Sequence, residues 1–346
     1  MTERMKRQGR MLIKAGLLLC LVMMAGCSSN PIYSTTGWVL KGYAEDEATP
    51  YFLQLSDPAM ACAAGDALDP LVYSFSRVGH TPRKSGSLLM LLAGTCGVMQ
   101  AWDAELRAIR FEQAGNITQA SDARTEQERW LAIAAARRLQ TYQRAMEAFE
   151  YDPGQEHAEC PDFDNRQDEL TFALGLLTGM QAVLNDAGAG VVAGVPRNIA
   201  PRAAIASRCL DNDDWAGMPQ AIRAAVWLLL PDSKPISAPD PWKLLQQSNR
   251  MGLAQGIRVS SALMAVMAQT KGNTEMLAEA VKALAPGEDF TPSEQYRIVD
   301  AIAFRELLAV SDRYWTQHFG ERTPRVQLGR LSKPKPMDNE ALDDLL

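Results

Sequence analysis

The chain has 346 residues, with 35 Lys and Arg against 41 Asp and Glu, for a net charge of −6. An acidic chain with no basic stripe interleaved with aromatics excludes a nucleic-acid binder. The length is ample for a large core and fits two domains or one elongated array.

Chain order begins with Arg4, Lys6, Arg7, Arg10 and Lys14 against a single acid, Glu3. An uncharged apolar run follows from Ala15 to Gly26, too short to span a bilayer comfortably. A basic stretch followed by a short apolar run is a secretory signal. It ends in Met24-Ala25-Gly26-Cys27, which resembles the lipobox of bacterial lipoproteins. The resemblance implies cleavage before Cys27 and lipid on its thiol, so that the body stands beside a membrane without threading it. Ser28, where an aspartate would favour retention at the inner membrane, implies the outer membrane, facing the periplasm. The expected division is a signal peptide at 1–26, a lipid-anchored linker at 27–50, a helical domain at 51–319 and an extended or disordered tail at 320–346. Taking five bases and one acid from the totals leaves 30 against 40, so the mature body carries −10.

Beyond residue 50 strand signals are almost absent and helical periodicity is general. Asp57-Pro58, Asp69-Pro70, Thr81-Pro82 and Asp240-Pro241 each place a capping side chain before a proline, which suits the first helical position. Thr291-Pro292-Ser293-Glu294 adds a capping-box pattern. Helices are expected at about 84–112, 119–150, 167–185, 200–210, 218–230, 240–270, 274–284 and 292–319. The helix near 84–112 is apolar on all sides from Leu88 to Val98, with Gly94 and Gly97 allowing a neighbour to approach. The helix near 119–150 buries Leu131, Ala135, Leu139, Tyr142, Met146 and Phe149, and its Arg137, Arg138 and Arg144 fall on faces expected to be solvated. The helix near 167–185 is apolar almost all round, as in a bundle interior or a cavity wall. Pro231 to Pro239 reads as an extended link. The fold class is all-α, a tetratricopeptide-like α-solenoid or helical bundle of about ten or more helices.

Cys20 leaves with the signal and Cys27 takes lipid, so Cys62, Cys96, Cys160 and Cys209 remain. In an oxidising compartment four thiols read as two disulfides with three possible connectivities. Sequential pairing, Cys62–Cys96 and Cys160–Cys209, is favoured because each bridge then stays within adjacent helices.

Catalytic patterns are missing. His80, His157 and His318 are far apart in polar settings, and no GxSxG, Walker or HExxH pattern occurs. Gly188-Ala189-Gly190-Val191-Val192-Ala193-Gly194 has the wrong spacing for a phosphate loop and reads as a mobile apolar loop. Asp162-Phe163-Asp164 and Asp211-Asn212-Asp213-Asp214 lack the spaced ligands of a calcium loop. The expectation is a non-enzyme with no catalytic residue, cofactor or metal. Met251, Met264 and Met267 have a plain account in core packing and a sharper one in an apolar ligand cavity, since methionine lines adaptable binding surfaces.

Four stretches carry a family resemblance. Asp57-Pro58, Gly65, Leu68, Leu71, Pro82 and Leu88-Leu89-Met90-Leu91-Leu92-Ala93 form the first, and Thr141-Tyr142-Gln143-Arg144-Ala145 the second. Gly272-Asn273-Thr274-Glu275 through Ala280 and Leu284 to Pro286-Gly287, then Ser311-Asp312-Arg313, complete a collinear set over roughly residues 50 to 320. Together they resemble the T-component (TatT) lipoproteins of TRAP transporters, the tripartite ATP-independent periplasmic transporters. The resemblance implies a helical lipoprotein with an apolar pore, assembly as a homotrimer, and docking to a TRAP-type periplasmic solute-binding protein that handles a hydrophobic or organic-acid ligand. The chain departs from that family at Asn273, where a second glycine is common, and in its four disulfide-capable cysteines. Two other functions fit an anchored helical body: a scaffold for outer-membrane assembly, and a hydrolase or lyase acting on envelope material.

Overall fold

A computed structural model describes residues 31–155, 158–285, 287 and 290–333; the expected signal peptide, Cys27, His157 and the end of the tail lie outside them. Every regular element among the described residues is helical. Helix α1, Pro31–Tyr43, runs on through a π-helical turn, Ala44–Ala48, into Thr49–Leu53. The described part of the expected linker is therefore largely helix. Ten further α-helices follow: α2 Pro58–Tyr73, α3 Arg83–Gln113, α4 Ile117–Ala148, α5 Arg166–Gly188, α6 Ile199–Ala206, α7 Met218–Leu229, α8 Pro241–Ala254, α9 Val259–Lys271, α10 Thr274–Val281 and α11 Arg297–Phe319.

Two proline-marked starts are capped as expected. The Asp57 carboxylate accepts from the Ala59 and Met60 amides, and that of Asp240 from Lys243 at 3.1 Å. Asp69-Pro70 is a correction: Pro70 sits inside α2, and Asp69 is buried as the partner of Arg144. The expected single helix over 240–270 is two, because Gly256 takes φ +72 and the chain turns there. A Cβ on Gly256 would stand 2.2 Å from the Thr291 carbonyl, and the Ser293 amide donates to the Gly256 carbonyl at 3.0 Å. The Thr291–Ser293 backbone thus docks on the α8–α9 corner. That use displaces the expected capping box, and α11 starts only at Arg297.

Helices α3 and α4 form the longest antiparallel pair, and α2 and α5 pack on its two sides. The pair closes tightly where Gly94 and Gly97 face α4: a Cβ on Gly97 would lie 3.2 Å from that of Ala134. Helix α5 is buried nearly all round, with Phe172, Leu176 and Met180 inaccessible to solvent. Such side chains each contribute about 1.5–3 kcal/mol of transfer free energy. A single core runs from Leu53 to Val310.

Neighbours in sequence are mostly neighbours in space, as in a solenoid, but the last helix breaks that order. Helix α11 packs on α9 and also returns to α2, α3 and the end of α1. The array is a closed bundle rather than an open solenoid. Residues 321–333 form no α-helix, only a 3-10 turn at Arg325–Gln327, but are docked: the Trp315 indole donates to the Arg330 carbonyl at 2.8 Å, and Leu328 and Leu331 pack on the core. This part of the expected tail is bound to α11.

Both disulfides of the sequential pairing are present. Cys62–Cys96 joins α2 to α3 with Cα atoms 5.2 Å apart, and Cys160–Cys209 joins the approach to α5 to the end of the α6 segment at 5.3 Å.

Candidate functional site: an apolar cavity with a polar end

The closure by α11 leaves a cavity of about 330 Å³ between α1, α2, α3, α5, α9 and α11. Its wall is mainly apolar, with Phe52 and Phe75 beside aliphatic side chains: Leu68 and Val72 from α2, Leu88 and Leu92 from α3, Leu174 and Leu177 from α5, Val259 and Leu263 from α9, Ile298 and Ile302 from α11. The volume is at the lower end of small-molecule sites, which run from about 300 to 1,000 Å³ and pair an apolar wall with a few polar groups. Tyr43, Leu40 and Leu71 line it and are exposed, so the mouth lies between α1 and α2. Along α3 the lining runs from Ser85 to Thr95, ten residues or about 15 Å at helical rise.

The polar groups gather opposite the mouth. Arg138 of α4, Gln181 of α5 and Glu306 of α11 all line the cavity. Arg138 is 5% exposed and donates one hydrogen bond, 2.6 Å, to the Asn185 side-chain oxygen. No carboxylate among the described residues lies within ion-pairing distance of it. The Gln181 amide donates to both Glu306 oxygens, at 3.4 and 3.2 Å. Burial lowers the Arg138 pKa, which the charge on Glu306 partly offsets. Burial raises the Glu306 pKa, against the pull of Arg138 and the Gln181 hydrogen bond. The surface that Glu306 retains belongs to the cavity wall. At the other end the Ser85 hydroxyl is buried with no hydrogen-bond partner.

Each polar residue sits at the next step of an apolar stripe. Arg138 follows Leu131 and Ala135, Gln181 follows Leu174 and Leu177, and Glu306 follows Ile298 and Ile302, at three- and four-residue spacing. Arg138 and Arg144 are corrections: both are buried rather than solvated. Arg144 pairs with Asp69, donates to the Gly86 carbonyl at 2.8 Å and lies 3.7 Å over the Tyr73 ring. The spacing signal was present, and long charged side chains hide it.

The three methionines do not form the cavity. Met264 and Met267 are wholly buried and Met251 is half-buried, none of them lining it. Val259, Ala262 and Leu263 share the cavity face of α9; Met264, five positions after Val259, points off that face, and Met267, one turn beyond Leu263, lies past the end of the lined stretch. The Gly188–Gly194 loop wraps a buried carboxylate: Asp186 accepts from the Ala193 amide at 2.7 Å and the Val195 amide at 2.9 Å. Asp211 accepts from the Asp213 and Asp214 amides, a turn of ordinary kind. His80 meets the Ser34 hydroxyl, and His318 stacks on Tyr314.

Among the described residues no cluster of His, Cys, Asp and Glu is placed to hold a metal ion, and no helix is long and apolar enough to cross a membrane. No family model, curated protein or solved structure matches the chain.

Proposed function

We propose that this protein is a lipid-anchored, non-enzymatic binding protein of the bacterial envelope that holds an apolar small molecule for a TRAP-type solute-binding protein. One observation carries the reading: a preformed apolar cavity of about 330 Å³ with a mouth at the surface and a few convergent polar groups inside. The remaining support is the lipobox-like Met24-Ala25-Gly26-Cys27 and the collinear resemblance to T-component lipoproteins. The apolar wall favours ligand capture over hydrolysis, because the cavity holds one carboxylate, Glu306, and no nucleophile poised beside a base.

Native mass spectrometry of the body from Ser28, secreted into the periplasm, should show a co-purified apolar molecule displaced by Leu92→Trp, which fills the cavity. Cross-linking in cells that carry the full chain should capture a TRAP-type solute-binding protein. A bound molecule with no such partner would retain the binding role and remove the transporter; an empty cavity refractory to every apolar probe would remove the function.

A further inference from the structure

The polar end of the cavity has a charge problem that an apolar ligand alone leaves unsolved. Arg138 is buried, donates a single hydrogen bond, and has no carboxylate in ion-pairing contact. A guanidinium presents five N–H donors and stays protonated, even where burial lowers its pKa. Glu306 can instead shed its charge by taking up a proton, and burial raises its pKa in that direction, against the pull of Arg138 and the Gln181 hydrogen bond. Gln181 is committed to Glu306, and the other polar groups of the wall, Tyr43, Thr49, Ser85, Thr95 and Thr178, are hydroxyls; those of Thr49, Thr95 and Thr178 donate to carbonyls of their own helices. With Arg138 charged and Glu306 neutral, the blind end of an apolar cavity is electropositive.

We infer that the cavity takes an amphiphile with a single carboxylate head, seated between Arg138 and Glu306 with its hydrocarbon tail toward the α1–α2 mouth. The inference rests on the binding function proposed above and names the ligand class of that same site. Arg138 supplies unused N–H donors, in a place where water is largely excluded and a charge-assisted bond is strong. Protonated Glu306 supplies an O–H donor to the second oxygen. The about 15 Å of aliphatic wall between Thr95 and Ser85 accepts the chain. A cationic head would face Arg138 at close quarters.

The sign of the pH effect follows. The ligand carboxylate is tolerated beside Glu306 only in its acid form, so affinity is highest below the raised Glu306 pKa and falls as pH rises through it. The charged groups facing Glu306 are Arg138 from α4 alone, with Gln181 as the neutral donor.

The test uses the secreted body from Ser28 in titration calorimetry with dodecanoate, dodecanol and dodecylammonium at pH 5.5, 7 and 8.5. Dodecanoate should bind about tenfold or more tightly than dodecanol at pH 5.5, with the margin shrinking by pH 8.5. Arg138→Gln should bring dodecanoate down to dodecanol, while dodecanol binding persists and shows the variant folded. Glu306→Gln should keep the carboxylate preference and remove its pH dependence. Equal affinity for the acid and the alcohol in the wild type, or preference for dodecylammonium, overturns the head-group assignment and leaves the cavity function standing. Failure of all three probes to bind overturns both.

Discussion

Buried charges in this protein fall into two kinds, and their surroundings distinguish them. Arg144–Asp69 and Arg258–Asp300 are closed pairs; the Arg258 side chain and its own amide both donate to Asp300. Neither pair faces the cavity, so each is structural, and removing one partner would leave the other charge stranded. Arg138 and Glu306 are instead held apart and face an open volume. Glu306 therefore costs stability whenever it ionises. Its folded pKa is raised by burial, so the native state keeps the proton over a window where the unfolded chain has released it. In that window the unfolded state binds fewer protons, and stability falls as pH rises from the ordinary carboxylate range to the raised folded pKa. Glu306→Gln cannot ionise and should be the more stable protein at pH 8, by on the order of 1 kcal/mol, with the two converging near pH 4. Glu45 and Asp312, also raised by burial, contribute the same slope to both proteins, so the difference isolates Glu306. Urea denaturation at the two pH values decides it; a difference that grows on acidification would contradict the assignment.

Between neighbouring helices the covalent staples act on different parts of the fold. Cys62–Cys96 ties α2, which carries the cavity wall residues Leu68 and Val72, to α3. The loop it closes spans 34 residues, for which chain entropy gives about 4 kcal/mol. Cys62→Ala with Cys96→Ala should lower stability by roughly that amount and weaken dodecanol binding, because α2 forms one side of the mouth. Cys160→Ala with Cys209→Ala should lower stability comparably while leaving binding intact, since its segments do not touch the cavity. Equal loss of binding in both pairs of variants would show that the cavity depends on global rather than local order. At this scale much was legible in the sequence: the Asp57 and Asp240 caps, the all-round apolar first half of α3 and the apolar α5 came from local spacing, and the disulfide pairing came from expecting each bridge to stay within adjacent helices. The break at Gly256 did not, because the φ there answers to Thr291, 35 positions later, and a glycine within an apolar periodic run carries no mark of that contact. The same displacement hid the true start of α11. The cavity residues Arg138, Gln181 and Glu306 were on the correct stripes but come from three helices, and no local pattern says that these stripes meet.

At the scale of the whole molecule, the cavity exists because the last helix returns to the first ones. That closure is held by a row of contacts between α3 and α11. Arg313 pairs with the buried Glu105 and donates to the Gln269 side chain on α9. One turn on, the Gln113 amide donates to the Thr316 and Gln317 carbonyls, at 2.9 and 3.0 Å. Beyond the helix end Arg322 reaches Asp103 at 2.6 Å. The last two sets are exposed or only part-buried and weigh little by themselves. Glu105 differs, since it is 9% exposed and also lies 4.0 Å from Arg124 of α4, so it couples three helices. Glu105→Ala leaves a half-buried Arg313 without its carboxylate, at a cost of roughly 1–3 kcal/mol that falls on the α3–α11 seam. Local opening of α11 would then become about ten- to a hundredfold more populated. Hydrogen exchange should quicken by that factor across Arg297–Phe319 while α4 and α5 keep their protection, and dodecanol should leave the cavity faster. Glu105→Gln, which keeps an acceptor, should fall between the two proteins. Uniform acceleration in every helix would mean that Glu105 supports the whole bundle, and unchanged exchange in α11 would place the closure in the apolar packing of Ile298, Ile302 and Leu307 instead.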